Sequence, residues 1–98
     1  MNRYFKNRWE ELSGDKFDDW GFSTWFVELD KELYTLRQIE VYDNGNVLKY
    51  DETFLEDEFG MLYDGDVIEK ELKELGFLEI SKDEFEEIWV TLKALNRK

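Results

Sequence analysis

The chain has no cysteine, no histidine and no proline. Without cysteine it can form no disulfide, thiolate metal site or cysteine nucleophile, which fits a reducing compartment. Without histidine it lacks the commonest general base and a leading transition-metal ligand. Among its few serines, Ser13 and Ser81 stand in the contexts of a turn and a helix cap. A hydrolase of the Ser-His-Asp type is therefore excluded.

Long apolar runs and a signal-peptide core are lacking too. Runs such as residues 25–27 stop after a few positions, whereas a membrane-spanning helix needs about 20 apolar residues. Alanine occurs once, at Ala94, against eight Phe, five Tyr and four Trp, so a few large side chains must build the core. We expect a cytoplasmic protein of 98 residues that folds as a single domain over residues 1–98.

Basic residues are scarce in one segment. Residues 50–87 hold 15 of the 25 Asp and Glu but only Lys70, Lys73 and Lys82, so 3 minus 15 gives −12, the net charge of the whole chain. Solubility needs only mixed charges, so a field of one sign indicates a surface that binds a positively charged partner. An acidic surface repels anionic lipid and phosphate. We therefore expect a basic protein as partner, and neither a membrane nor direct contact with nucleic acid.

The first half of the chain has strand patterns. Residues 3–9, 25–29 and 33–42 predict three strands, with Asp30 and Lys31 turning the chain between the last two. Asn44 and Gly45 tolerate positive φ and predict a tight antiparallel hairpin into a fourth strand at residues 47–50. The region between the first two strands has no clear periodicity and is expected to form a loop.

The second half has two helix patterns. Residues 66–75 predict a short helix with Asp66 as N-cap and Gly76 as its end. Ser81 and Glu84 form a capping box for a longer helix. Five residues form its apolar stripe: Phe85, Ile88, Trp89, Leu92 and Leu95. Its C-terminal end carries basic residues, which suit the helix dipole: Lys93, Arg97 and Lys98. Together the patterns predict an α+β fold, an antiparallel sheet of about four strands with two C-terminal helices packed on one face.

Residues 51–66, between strands and helices, contain seven acids and no base. Their interspersed apolar residues predict a loop packed onto the sheet. Unlike the acids that begin the last helix, these have no evident local structural reason, so they are the candidate partner-binding residues: Asp51, Glu52, Glu56, Asp57, Glu58, Asp64 and Asp66. The alternative is that they form only a solvated surface.

The four tryptophans divide by their surroundings. Trp9, Trp25 and Trp89 lie in periodic segments and are expected in the core. Trp20 lies in an aperiodic acidic stretch and is the candidate aromatic anchor of an interface, with a core position as the favoured alternative.

Carboxylates are the groups left for catalysis or metal binding. Adjacent pairs such as Asp18-Asp19 arise by chance in a chain with 25 acids, so we expect no enzyme and no cofactor. Residues 43–46 and 64–66 resemble pieces of a calcium loop but lack its frame of about twelve residues and its closing Glu. A hairpin turn and a helix cap are the favoured interpretations, and no metal site is expected.

Several short segments, spread over most of the chain, resemble a family of short acidic bacterial proteins of unknown function. The matching segments are Arg3-Tyr4-Phe5-Lys6, Arg8-Trp9, Glu28-Leu29-Asp30, Leu36-Arg37, Ile39-Glu40-Val41-Tyr42, Asn44-Gly45, Glu79-Ile80-Ser81, Glu84-Phe85 and Ile88-Trp89. These are strand and capping motifs, so the resemblance implies a fold and no catalytic residue. In size and acidity the chain is also similar to immunity proteins and to phage-encoded inhibitors that occupy the nucleic-acid groove of a nuclease.

The sequence leaves the oligomeric state and the partner's identity open, but it favours one class of function. We expect a non-catalytic protein that neutralises a basic partner, a nuclease toxin or another nucleic-acid-binding enzyme, by stoichiometric blocking through charge complementarity. The alternative is a housekeeping or assembly interaction module whose acidity serves solubility alone.

Overall fold

The computed structural model describes residues 2–10, 18–63 and 69–96. Within these ranges one antiparallel sheet has five strands in the order β4-β3-β2-β1-β5. The strands are β1 (Arg3–Trp9), β2 (Ser23–Leu29), β3 (Thr35–Tyr42), β4 (Val47–Asp51) and β5 (Leu78–Ile80), and the helices are α1 (Glu69–Glu74) and α2 (Lys82–Thr91). A short 3-10 helix, Asp18–Trp20, precedes β2. The predicted α+β class, an antiparallel sheet with C-terminal helices, is confirmed.

The first four strands form a meander. Val41 lies opposite Val47 in the β3–β4 hairpin, and Gly45 adopts a φ of 95° at its turn, as the Asn-Gly pair predicts. The predicted start of the third strand at Leu33 is corrected to Thr35, because Leu33 has a φ of 67° and belongs to the preceding turn. That turn is fixed by the Asp30 carboxylate, which accepts hydrogen bonds from the backbone amides of Glu32 and Tyr34.

β5 is a strand that the sequence patterns do not predict. It pairs with β1 so that Tyr4 lies opposite Ile80 and Lys6 opposite Leu78. Arg3 donates two hydrogen bonds of 3.0 Å to the Glu79 carboxylate beside this pairing. Three residues are too few to display a strand periodicity. The described sheet therefore has one strand more than the four expected.

The helices α1 and α2 pack on opposite faces of the sheet. Successive strand residues point to opposite faces; Tyr4 packs with Phe85 of α2, and Phe5 packs with Leu72 of α1. The prediction that both helices share one face is corrected, because β5 joins the sheet edge between them. The chain thus leaves α1 on one face and enters α2 on the other.

The α2 helix begins as its sequence predicts. The Ser81 hydroxyl accepts a 3.1 Å hydrogen bond from the Glu84 amide, and Phe85 is fully buried against Tyr4, Ile39 and Val47. The helix ends at Thr91, so Lys93 lies beyond its last turn and Leu95 is exposed rather than part of the buried stripe. Arg97 and Lys98 lie outside the described residues.

After α2 the chain covers the outer edge of β4. The Leu95 amide donates to the Val47 carbonyl at 2.7 Å. The Asn96 side chain accepts from the Lys49 amide at 3.0 Å and donates to the Lys49 carbonyl at 3.1 Å. These bonds occupy edge groups that would otherwise be free to pair with another chain.

The α1 helix is short and tied down at its end. Leu72 is buried, whereas Leu75, just beyond the last helical residue, is 53% exposed. Asn7 of β1 donates a 3.1 Å hydrogen bond to the Leu75 carbonyl, and Gly76, with a φ of 90°, ends the helix as predicted. The predicted N-cap Asp66 lies outside the described residues. Among those that are described, no helix has the length and apolar character to span a bilayer.

Candidate protein-binding surface

The sheet face opposite α2 is covered by two separate pieces of chain. Over β1 and β2 lies α1, whose Leu72 contacts Phe5, Val27 and Leu29. Residues 51–63 are called here the acidic flap. Of these, residues 54–63 lie over β3 and β4. The buried Leu62 of the flap packs with Leu48 and Tyr50 of β4. The acidic flap is thus a loop packed onto the sheet, as its interspersed apolar residues predict.

Asp57 is a structural residue of the acidic flap. One of its carboxylate oxygens accepts hydrogen bonds from the Tyr50 hydroxyl at 2.9 Å, the Phe59 amide at 2.8 Å and the Gly60 amide at 3.2 Å. Burial opposes ionisation of Asp57, but the donors around it, the Asn96 side chain first, outweigh burial and lower its pKa. Contrary to expectation, this candidate residue has a local structural reason.

Asp51 is structural in the same way. Its carboxylate accepts hydrogen bonds from the Thr53 amide at 2.8 Å and from the Thr53 hydroxyl at 2.7 Å. A reciprocal pair of backbone hydrogen bonds joins Asp51 to Phe54. Asp51 therefore closes the turn that leads from β4 into the acidic flap.

Glu52, Glu56 and Glu58 are the candidate acids that remain on the surface. All three are exposed, and within the described residues none of them forms a hydrogen bond or ion pair. The other two candidates, Asp64 and Asp66, lie outside the described residues. The structure thus brings three free carboxylates together on one tied-down segment.

Trp20 is half-buried among aromatic side chains. Its ring meets Tyr42 edge-on with centroids 5.1 Å apart, and it is tilted against Phe59 at 5.6 Å. It packs against the cluster that supports the acidic flap. This placement agrees with the alternative that Trp20 packs in the fold, because its ring contacts are with Tyr42 and Phe59.

Gln38, in the middle of β3, holds the end of the acidic flap. Its fully buried side chain donates to the Met61 carbonyl at 3.1 Å and accepts from the Tyr63 amide at 2.8 Å. It also donates to the buried Glu40 carboxylate at 2.8 Å, which accepts from the Tyr42 hydroxyl at 2.7 Å. Burial raises the pKa of Glu40. Sequence reasoning missed Gln38, because an amide within a strand pattern does not indicate which backbone it bonds.

Between α1 and the acidic flap lies an apolar groove of about 310 Å³. Its floor includes Trp25 and Val27 of β2, and its sides include Leu75 and Tyr63. Trp9, predicted in the core, is 40% exposed here because it ends β1 at the groove's border. Leu75 and Tyr63 are 53% and 51% exposed. Large exposed apolar side chains grouped in this way mark interaction sites.

A second cavity of about 340 Å³ adjoins this groove, sharing Thr35 and Tyr63 with it. It is lined by Leu55 and Met61, both more than half exposed, and by Glu56. Its lining residues come from the acidic flap and from the start of β3. The one sequence signal for this surface was the mixture of large apolar residues and acids in residues 54–63.

Basic side chains are used elsewhere in the fold. On the α2 face, Arg37 contacts Glu28 at 2.5 Å and also pairs with Glu86. At the opposite sheet edge, Arg3 contacts Glu69 at 2.5 Å. These pairs engage acids outside the acidic flap, and among the described residues no basic side chain pairs with Glu52, Glu56 or Glu58 of the flap.

The structure contains no candidate metal centre among the residues it describes. At the hairpin, the Asp43 carboxylate accepts from the Phe22 amide at 3.0 Å and pairs with Arg8 at 2.8 Å. The Asn44 side chain accepts from the Asn46 amide at 2.9 Å. Residues 43–46 therefore use their side-chain oxygens within a turn; residues 64–66 lie outside the described part of the chain.

No family model, curated protein or solved structure matches the chain. The resemblance to a family of short acidic bacterial proteins accordingly stays an expectation, and function has to be argued from the surface itself.

Proposed function

We propose that this chain is a non-catalytic, cytoplasmic binding protein that neutralises a basic protein by stoichiometric blocking. The partner class that fits is a nuclease toxin or another nucleic-acid-binding enzyme, because such proteins present clustered Lys and Arg to phosphate. The acidic flap competes for that cationic surface. Neither direct nucleic-acid binding nor membrane binding is part of the proposal.

The observation that carries the proposal is the arrangement of Glu52, Glu56 and Glu58. They are exposed and unpaired within the described residues. The carboxylates of Asp51 and Asp57, in contrast, accept backbone hydrogen bonds that order the same segment. A surface that is ordered before binding loses less conformational entropy on association than a flexible acidic tail. The acidic flap is therefore suited to specific binding as well as to long-range attraction.

Charge complementarity gives this mechanism two measurable properties. Long-range attraction raises the association rate steeply at low salt, and screening removes that gain as the Debye length falls from about 10 Å at 0.1 M to about 3 Å at 1 M. Contacts made at short range set the dissociation rate. Removing exposed acids of the flap should slow association far more than it speeds dissociation.

Capture from lysate of the native cell, followed by calorimetry on the purified complex, tests the proposal. The wild type and the matched control D83K/E87K, whose acids are exposed on α2, should retain a basic protein in a 1:1 complex. E56K/E58K should lose it. We expect the affinity to fall at least about tenfold between about 50 and 500 mM salt. An affinity that is independent of salt, or equal capture by both variants, contradicts the proposal.

A second candidate function rests on the apolar groove. Trp9, Leu75 and Tyr63 are exposed there, which favours an assembly module whose acidity serves only solubility. For such a module, E56K/E58K would leave binding unchanged and Leu75→Ser would weaken it. The pair of variants therefore separates the two functions.

A further inference from the structure

We propose that the apolar groove between α1 and the acidic flap receives a bulky apolar side chain from a lysine- or arginine-rich segment of the basic partner. This inference rests on the proposed function and deepens it, since it makes the recognised feature amphipathic rather than merely cationic. The acidic flap attracts the partner, and the groove anchors it.

The groove is built into the fold by two buried amide side chains. On one side Gln38 of β3 holds the backbone of Met61 and Tyr63 over the sheet. On the other side Asn7 of β1, 7% exposed, holds the Leu75 carbonyl. These anchors lie on either side of β2, so the β2 surface forms the floor between the two tied-down walls. A groove that is formed before binding needs no rearrangement to accept a side chain.

The chemistry of the groove selects an apolar guest with positive neighbours. Trp25 and Val27 of its floor and Leu75 and Phe77 of its α1 side are apolar. Glu71 lines the groove and Glu56 lines the adjoining cavity, whereas no Lys or Arg of the described residues lines either one. An aromatic or aliphatic side chain flanked by Lys or Arg would bury its apolar part and keep its charges beside these carboxylates. Aromatic anchors in such pockets dominate the energy of protein interfaces.

Two dye-labelled synthetic peptides test the inference. One is lysine-rich and carries two tryptophans; the other is identical except that serine replaces both tryptophans. Fluorescence anisotropy should give an affinity at least about tenfold higher for the tryptophan peptide. Leu75→Ser and Tyr63→Ser should each reduce this ratio to below about threefold. Both side chains are more than half exposed, so neither substitution should prevent folding.

The matched control is Val90→Ser. Val90 is 77% exposed on α2, on the opposite sheet face, and its substitution should leave the ratio unchanged. Equal affinity for the two peptides, or a ratio that survives Leu75→Ser, overturns the inference. Sedimentation provides a further check, because a wild-type dimer that Leu75→Ser dissociates would assign the groove to a second copy of the chain and would likewise overturn it.

The charge variant separates this inference from the proposed function. If E56K/E58K weakens both peptides while the peptides bind equally well, electrostatic blocking stands and the anchor is wrong. If the tryptophan peptide keeps its advantage and E56K/E58K changes neither affinity, the groove binds apolar side chains but the electrostatic function is wrong.

Discussion

The Lys49 ammonium of β4 closes the C-terminal end of α2 at Trp89. It donates a 2.5 Å hydrogen bond to the Trp89 carbonyl, donates another to the Leu92 carbonyl, and lies 5.2 Å from the centre of the Trp89 ring. A cation at this end of a helix satisfies free carbonyl groups and complements the helix dipole. Lys49, rather than the expected Lys93, is thus the basic residue that caps the end of α2, although it lies 44 residues earlier in the chain (93 minus 49).

Replacing Lys49 should destabilise the fold. Lys49→Met leaves the carbonyls of Trp89 and Leu92 without this donor, and we expect the free energy of unfolding to fall by about 2 kcal/mol. Urea denaturation measures this change. Lys93→Met is the matched control, since Lys93 is exposed beyond the helix, and should change stability by less than about 0.5 kcal/mol. Equal effects of the two substitutions would show that Lys49 does not cap α2.

Replacing Gly21 and Gly45 by alanine should destabilise the fold to different extents. Gly21 and Gly45 both have positive φ, 87° and 95°, so each alanine adds backbone strain of about 1 kcal/mol. At Gly21 the new methyl group would also lie 2.7 Å from the Asp43 Cβ, whereas nothing lies within 4 Å at Gly45. Gly21→Ala should therefore cost at least about 1 kcal/mol more than Gly45→Ala in urea unfolding. Equal costs would mean that Asp43 moves aside freely.

The local elements were predictable from the sequence where one segment determines them. The Asn44-Gly45 hairpin, the Ser81 cap of α2 and the alternating residues of β1 depend on neighbours along the chain. β5 and the placement of α1 and α2 on opposite faces depend on long-range pairing with β1, which no local pattern encodes. The structure corrects the sequence prediction at these elements, and it also corrects the start of β3 and the end of α2.

The candidate surface was predictable in composition but not in detail. Residues 51–66 stand out by charge alone, yet a carboxylate that closes a turn, such as Asp57, has the same sequence signature as an exposed one such as Glu58. The exposure of Trp9 and Trp20 was likewise not predictable, because it depends on which distant residues pack against each ring. Only the three-dimensional contacts separate these residues.

Removing the Gln38 amide should release the end of the acidic flap. Gln38→Leu leaves the Met61 carbonyl and the Tyr63 amide without their partners, and we expect a loss of about 1–3 kcal/mol in stability. Hydrogen exchange of the Tyr63 amide should accelerate relative to that of the Gly45 amide, which bonds Tyr42 in the distant hairpin. Unchanged protection at Tyr63 would contradict the proposed anchoring role. The same variant should weaken peptide binding in the groove, because one wall loses its support.

Glu40 should make the fold less stable as the pH rises. Glu40 is 5% exposed, and its burial raises the pKa of its carboxyl group above the ordinary value of about 4.5. The folded chain therefore holds this proton more tightly than the unfolded chain, so the stability that Glu40 contributes is present below about pH 4.5 and is lost as the pH rises through the raised pKa. Glu40→Gln removes that loss while its amide can still accept from Gln38 and donate to Tyr42.

Urea denaturation of wild type and Glu40→Gln between about pH 4 and pH 7 measures this effect. Relative to the wild type, the free energy of unfolding of the variant should increase as the pH rises through the raised pKa of Glu40, and the difference should level off above that pKa. Glu58→Gln, at an exposed position of the acidic flap, is the control and should stay within about 0.5 kcal/mol of the wild type throughout. A difference between Glu40→Gln and wild type that does not vary with pH would mean that Glu40 titrates alike in the folded and unfolded chains.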